Sequence, residues 1–201
     1  MTFLEDLEQR RSIYALGRDE VDVNQAVEVI EEAVRQSPSA FNSQTSRVVI
    51  LANDQHIKLW DLIIDDMMKL MVEQGAPEVA QEATKNKLKS FQAGIGTALF
   101  YEDQDVVKKL QEDFPLYADN FPVWSEQGSG IATANAWTAL STISIGANLQ
   151  HYNPVIDASI AKTWDIPASW KLRSQLVFGS IEAPAGVKEF MPDDQRFKVF
   201  K

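Results

Sequence analysis

Apolar positions along the chain follow two rhythms. Val27, Ile30, Ala33 and Val34 share one helical face, with Glu28, Glu31, Glu32 and Arg35 around it. That spacing predicts an amphipathic helix. Asp22 or Asn24 stands where a cap is needed, and Pro38 disfavours helical backbone at Ser37, so the helix ends before it. Leu59, Leu62, Ile63, Met67, Leu70 and Met71 repeat in the same way in a helix that starts near Gln55, behind Asn53 and Asp54. Gly75-Ala76-Pro77 separates it from another over residues 78–91. Shorter helices are predicted over residues 2–9, 104–113 and 155–164. Compact apolar runs predict strands over 47–51, 97–101 and 176–181. The tail Arg196-Phe197-Lys198-Val199-Phe200 alternates and predicts a fourth.

Residues 127–156 contain no Asp, Glu, Lys or Arg in a protein that is 24% charged. The segment is rich in Ala and has no Pro before Pro154, which predicts a long helix. A helix with no charged face has no side to show to water and should be buried nearly all round. Asn135, Asn148 and many hydroxyls make it a poor lipid-facing surface, and flanking Lys or Arg is missing, so a membrane span is not the reading. Gln150-His151-Tyr152-Asn153-Pro154 closes the segment with polar and aromatic groups. Buried polar groups need partners, and a bound ligand could supply them, so the active site is expected there.

A chain of 201 residues, 45% of them hydrophobic, has the length and apolar content for one domain over residues 1–201. The order of elements is not a regular alternation of strands and helices, so the fold class is α+β. A net charge of −10 opposes binding to nucleic acid or to an anionic membrane surface. Cysteine is absent, which removes disulfides, thiolate catalysis and Cys-ligated metals and fits a cytoplasmic protein. The acidic N-terminus, with no apolar core segment, does not read as a signal peptide.

Several groups could carry chemistry. Arg10, Arg11 and Ser12 form a compact set of phosphate donors; the alternative is two surface arginines neutralising Asp6 and Glu8. The loop over residues 38–44 carries Ser39, Asn42, Ser43 and Gln44, donors and acceptors for a polyhydroxylated or amide-edged ligand, or an ordinary turn. Asn86 and Lys89 share a helix face, and Lys89 could face a phosphate or ring oxygen or simply extend a solvated face with Lys85 and Lys87. Phe114, Tyr117, Phe121 and Trp124 are core residues or a lid over a planar substrate. His56 and His151 are the only histidines, and no metal site is expected from them. Gly94-Ile95-Gly96 is too short for a phosphate loop, and no nucleophile elbow or Rossmann fingerprint occurs.

Taken in order, these stretches resemble the FMN-dependent nitroreductase family. Arg10-Arg11-Ser12-Ile13 is similar to its N-terminal phosphate motif, and Pro38-Ser39-Ala40-Phe41-Asn42-Ser43-Gln44 to its Pro-Ser-x-x-Asn-x-Gln loop. Asn86 and Lys89 resemble a pair that faces the flavin edge. Residues 135–147 resemble the family's buried helix, residues 150–154 the backbone beside flavin N5, and Arg196 a basic residue that completes the phosphate site. The resemblance spans nearly the whole chain and is greatest to the short subgroup of bacterial nitroreductases and fungal fatty-acid-repression-type proteins. Tyr14 replaces a common basic residue, His151 and Tyr152 replace an acidic residue and Gly, and Gln195 leaves Arg196 as a lone C-terminal cation.

The resemblance implies a two-layer α+β fold, with a mainly antiparallel sheet surrounded by helices and a C-terminal strand exchanged with the partner subunit of a homodimer. It implies FMN held by Arg10, Arg11, Ser12, Tyr14, Pro38, Ser39, Asn42, Gln44, Asn86, Lys89, Gln150, His151, Tyr152 and Arg196. Phe41, Tyr117 and Trp124 would border the substrate. No side chain is implied as catalytic, because flavin N5 carries the hydride. NAD(P)H would be the co-substrate, and nitroaromatics, quinones or similar planar electron-poor compounds the acceptors, in ping-pong order. A non-enzymatic flavin-holding or regulatory protein on the same scaffold is the alternative.

Overall fold

The computed structural model describes residues 2–201. In chain order its elements are α1 (Phe3–Gln9), β1 (Leu16–Gly17), α2 (Val23–Arg35), β2 (Ser46–Ala52), α3 (Asp54–Glu73), α4 (Glu78–Gln92), β3 (Gly96–Asp103), α5 (Gln104–Asp113), α6 (Phe121–Thr142), β4 (Gly146–Gln150), α7 (Asp157–Trp164), β5 (Trp170–Ile181) and α8 (Asp193–Arg196). Short 3-10 turns lie at Ala40–Asn42 and Pro115–Tyr117. Asp22 caps α2 through the backbone N–H groups of Asn24 and Gln25. Asn53 occupies the cap position of α3 but gives no side-chain cap bond.

The sheet is antiparallel in every strand pair and β5 is its hub. It pairs with β3 along one side and with β4 and β1 along the other, while β2 pairs with the outer side of β3. Alternate residues of β3 enter opposite cores. Leu99 and Tyr101 join Leu59, Trp60, Ile63, Leu88, Phe91 and Ile160 beneath α3, α4 and α7. Ala98 and Phe100 join Ala26, Ile30, Ala132, Ala136 and Leu140 beneath α2 and α6. A sheet with two apolar faces needs helices on both. The structure therefore has three layers where two were expected.

On β5 the alternation breaks once. Leu172 and Val177 lie in the first core, and Leu176 and Phe178 in the second. The register explains this, since Phe100 faces Ser174 while Tyr101 faces Leu172. Arg173 is the extra residue of a β-bulge, a device that re-aims side chains. Its guanidinium pairs with Glu102, whose side chain is 1% exposed, and with the exposed Glu126 of α6.

The segment expected as one buried helix divides. α6 begins before it at Phe121, includes the charged Glu126, and ends at Thr142; residues 146–150 form β4. Ser144 takes a left-handed φ of 63° at the break. A Cβ on Gly146 would lie 2.8 Å from Ile181 and 3.1 Å from Ile13, so a larger residue would have to displace these side chains for β4 to enter the sheet there. Gly96 is similar, with the ring of Phe178 filling the place of its Cβ. Nor is α6 covered all round: Gly128, Ala132 and Ala136 face the protein, while Gly130, Ile131 and Ala134 are exposed.

The tail differs as well. Residues 193–196 form a helical turn and no strand follows, with Phe197, Val199 and Phe200 exposed. A strand exists only against an edge, and within its own chain this tail meets none. Among the described residues, no helix is long and apolar enough to cross a membrane.

One histidine is locked inside. His56 Nε2 faces the Gln92 carbonyl oxygen at 3.2 Å, and Nδ1 lies 2.9 Å from Thr97 Oγ1. A carbonyl only accepts, so Nε2 carries the proton and Nδ1 accepts from the Thr97 hydroxyl. That hydroxyl oxygen in turn accepts from Trp60 Nε1. Burial, more than any neighbour, lowers the His56 pKa from 6.5 to about 4.

Two predictions follow from these buried groups. Between pH 6.5 and about 4 the unfolded chain takes up a proton at His56 that the folded chain refuses. Stability is full above this window and falls through it, by about 3 kcal/mol from this group. Urea midpoints across the range should fall less steeply for His56→Gln; an unchanged slope would place the acid sensitivity elsewhere. Arg173→Ala strands the buried Glu102 carboxylate and should cost about 3–5 kcal/mol, whereas Glu126→Ala removes only an exposed partner and should cost under about 1 kcal/mol. Equal losses in denaturant titrations would show that Glu102 does not depend on Arg173.

Candidate functional site

The first part of the site is built by a backbone splice. After α1, residues 10–14 run beside β4. Ser12 bridges Ala147 in parallel, the Ile13 N–H donates to the Ala147 carbonyl at 2.9 Å, and Asn148 Nδ2 donates to the Ile13 carbonyl at 2.8 Å. This fixes Arg10, Arg11, Ser12 and Tyr14 along one wall of a cavity of about 530 Å³, with Gly186 and Lys188 on the other wall. Arg11 reaches across to donate to the Gly186 carbonyl at 2.6 Å. Arg10 lies over the ring of Trp137, 4.5 Å from its centroid. Burial, and then the neighbouring Arg11, hold the Arg10 pKa below its ordinary value. Among the described residues neither arginine forms a salt bridge, so the expected alternative of neutralising Asp6 and Glu8 is not what the structure shows. Two unneutralised guanidinium groups in one cavity call for an anion.

Arg196 is not among them. It sits over the ring of Phe197, at 5.8 Å, and does not line this cavity. The basic residue facing Arg10 is instead Lys188, which lies in an irregular segment with no motif to reveal it.

The second part is a cleft of about 310 Å³ between β4, β5 and α6, bounded by Leu149, His151, Arg173, Thr133 and Trp137, among others. A cavity of about 100 Å³ shares Arg11 with the anion cavity and Trp137 with the cleft, so the three form a row of neighbouring cavities from the two arginines to His151. The Trp137 indole N–H is buried and has no hydrogen-bond partner. Trp137 and Arg173 escaped sequence reasoning. The tryptophan looked like one more residue of a buried helix, and no sequence pattern announces a bulge.

Other residues expected here turn away. Gln150 Nε2 donates to Asn148 Oδ1 at 2.8 Å and is buried. The Tyr152 ring packs edge-on against Trp60 at 6.0 Å, and its backbone N–H donates to Gln175 Oε1 at 2.8 Å; burial raises its pKa. Asn86 and Lys89 are exposed on α4, with Asn86 donating to Glu82 at 3.2 Å, and neither lines these cavities.

The loop over residues 38–44 forms a third part, on a neighbouring strip of α6. Asn135 Nδ2 donates to Ser37 Oγ at 2.8 Å, and Ser125 Oγ bonds Thr45 Oγ1 at 3.0 Å, so α6 holds both ends of the loop. Ser39 Oγ accepts the Gln44 N–H at 2.9 Å. Phe41, Asn42 and Gln44 have φ of 58°, 49° and 48°. Left-handed backbone at three non-glycine residues is strained, as functional loops often are. The distortion sets Phe41 among Phe114, Tyr117, Phe121 and Trp124, stacked on Trp124 at 6.1 Å and 20°. Pro38, Ser39, Phe41 and Trp124 line a cavity of about 410 Å³ that contains no charged side chain. Phe41, Tyr117 and Trp124 therefore do come together as expected. This cavity shares no wall residue with the row of cavities from Arg10 to His151.

The nitroreductase family model matches residues 7–180. HBN1 of Saccharomyces cerevisiae is 36% identical over 196 residues, covering 96% of this chain and 95% of the relative. The structure of nitroreductase CinD from Lactococcus lactis in complex with chloramphenicol matches with a TM-score of 0.91 at 58% identity and covers 100% of both chains. A Desulfovibrio desulfuricans protein solved in complex with FMN shares the fold, with a TM-score of 0.71 at 18% identity over 98% of this chain and 97% of its own. With the family model and two relatives above 30% identity in agreement along its length, the chain belongs to the nitroreductase family.

Proposed function

We propose that the protein is a homodimeric, cytoplasmic, FMN-dependent oxidoreductase that uses NAD(P)H to reduce planar electron-poor compounds such as nitroaromatics and quinones. The observation that carries this reading is the row of neighbouring cavities from paired, unneutralised arginines to the cleft at His151. It has a cationic end and a ring-sized end, which suits a flavin mononucleotide. Arg10, Arg11 and Ser12, with Tyr14 and Lys188, would hold the phosphate, and Leu149, His151 and Thr133 would flank the ring. Asn86 and Lys89, exposed on α4 and outside these cavities, are not assigned to the ring in this reading.

When bound, FMN supplies the redox chemistry, accepting a hydride from NAD(P)H at N5 and passing two electrons to the acceptor. The chain's own task is to orient and enclose. No side-chain acid or nucleophile is required of it. The loop over residues 38–44 and the rings of Phe41, Tyr117 and Trp124 belong, in this reading, to the partner's cleft, where they border the open face and exclude water. The exposed Gly130, Ile131 and Ala134 of α6 and the unpaired apolar tail support an interface between two copies, and the tail's strand would form by exchange across it. The complexes of the CinD relative with chloramphenicol, nicotinic acid and 4-nitrophenol support small aromatic ligands.

The purified protein should be yellow, sediment as a dimer, and bleach on addition of NADH or NADPH. Arg10→Ala should weaken FMN binding by about 1.5–3 kcal/mol, the range for a lost charged hydrogen bond, with the fold intact by circular dichroism. A colourless protein that ignores added FMN would overturn the proposal. Nucleotide and acceptor should take turns in one open pocket, so steady-state rates at several fixed acceptor concentrations should give parallel double-reciprocal lines. Intersecting lines would instead require a separate nucleotide site.

A further inference from the structure

Arg10 is held in an unusual way for an acidic protein. The net charge is −10, and Asp6 and Glu8 lie within the preceding turn of chain, yet Arg10 pairs with neither. Its guanidinium lies instead on the face of Trp137, 4.5 Å from the ring centroid, well inside the range of cation–π attraction. The two kinds of partner have different consequences. A carboxylate binds the in-plane N–H donors of a guanidinium, the same edge that grips a phosphate. An aromatic face contacts the flat of the group and leaves that edge free. Arg11 is oriented differently, with one of its terminal nitrogens donating to the Gly186 carbonyl. Trp137 itself is set by packing, half-buried against the core beneath α6, while its N–H has no partner. It lines both the cleft and the small cavity beside Arg11.

We propose that Trp137 is a positioning residue whose indole face holds the Arg10 guanidinium with its donor edge free for the terminal phosphate of the cofactor. This rests on the flavin reading above and adds to it a residue that discriminates FMN from the phosphate-free riboflavin. Trp137 also walls the cleft, so losing the face should weaken FMN more than riboflavin, whereas a residue that is only a wall would weaken both equally.

The test is equilibrium titration of flavin-stripped full-length protein with FMN and with riboflavin, followed by flavin fluorescence. Trp137→Leu should weaken FMN about tenfold more than it weakens riboflavin. Trp137→Phe, which restores an aromatic face, should recover FMN binding to within about threefold of wild type. In an Arg10→Ala background, Trp137→Leu should weaken FMN no more than riboflavin, since the pair acts as one unit. Should Trp137→Leu fail to fold, Trp137→Met fills the space with another flexible apolar chain and carries the same comparison. Equal weakening of FMN and riboflavin, or an undiminished effect without Arg10, would overturn the role of Trp137 while the flavin reading stands. Wild-type protein that binds neither ligand would overturn both, before any variant is compared.

Discussion

The double-sided burial of β5 is the constraint from which the rest of the architecture follows. This strand contacts β1, β3 and β4 and is covered by helices above and below. Each of its buried side chains must therefore enter one of two cores, and an uninterrupted strand would have to keep a single alternation along them. The bulge at Arg173 releases that demand at one point. It swaps which parity faces which core and places a charged residue where an apolar one would otherwise stand. The cost is a carboxylate drawn into the interior at Glu102, acceptable only because the bulged guanidinium meets it. The cleft bounded by His151 and Arg173 thus opens where the sheet's regularity is interrupted.

α6 exploits that arrangement through side-chain size. Gly128, Ala132 and Ala136 bring its backbone close to the protein, and the residues between them divide the surface into strips. One strip, with Ser129, Gly130, Thr133 and Trp137, walls the cleft; the adjoining one, with Trp124, Gln127, Gly128 and Ile131, walls the aromatic cavity. Its hydroxyl and amide groups do structural work as well, since Ser125 and Asn135 hold the two ends of the strained loop. The near absence of charge along the helix suits this service to several neighbours, because a charged side chain on any strip would have to be paired or solvated.

How much of this was legible from sequence depended on the range of the interaction concerned. Amphipathic spacing revealed α2 and α3, Gly75-Ala76-Pro77 marked the start of α4, and the bounds of α5 were read correctly, because local signals decide them. The break between α6 and β4 was not legible. Its signals, Ser144 and Gly146, matter only because Ile181 and Ile13 crowd the strand from far along the chain. The site divides in the same way. Arg10, Arg11, Ser12 and Phe41 were visible as motif residues, whereas Lys188, Arg173 and Trp137 are joined to them by topology alone. Gln150 and Tyr152 had the right chemistry for ligands, but the sheet and the core engage their side chains first.

The separation of the aromatic cavity from the arginine cavities carries a consequence for the proposed assembly. A single chain presents a row of cavities with cations and a ring-sized cleft, and on an adjacent strip a cavity with planar rings and no charge. Two copies related by a two-fold axis make every contact twice, so a patch that brings one copy's aromatic loop to the other's cleft is automatically reciprocated. The exposed small residues of α6 lie between these two features and allow close approach of a second copy. In the proposed dimer such a division would couple redox chemistry to association. The lone chain would keep the means to grip a phosphate, while the walls that select a planar acceptor would arrive only with the partner. Affinity for the proposed cofactor and specificity for the acceptor would then be set by different residues, the first by Arg10 and Trp137, the second by Phe41 and Trp124.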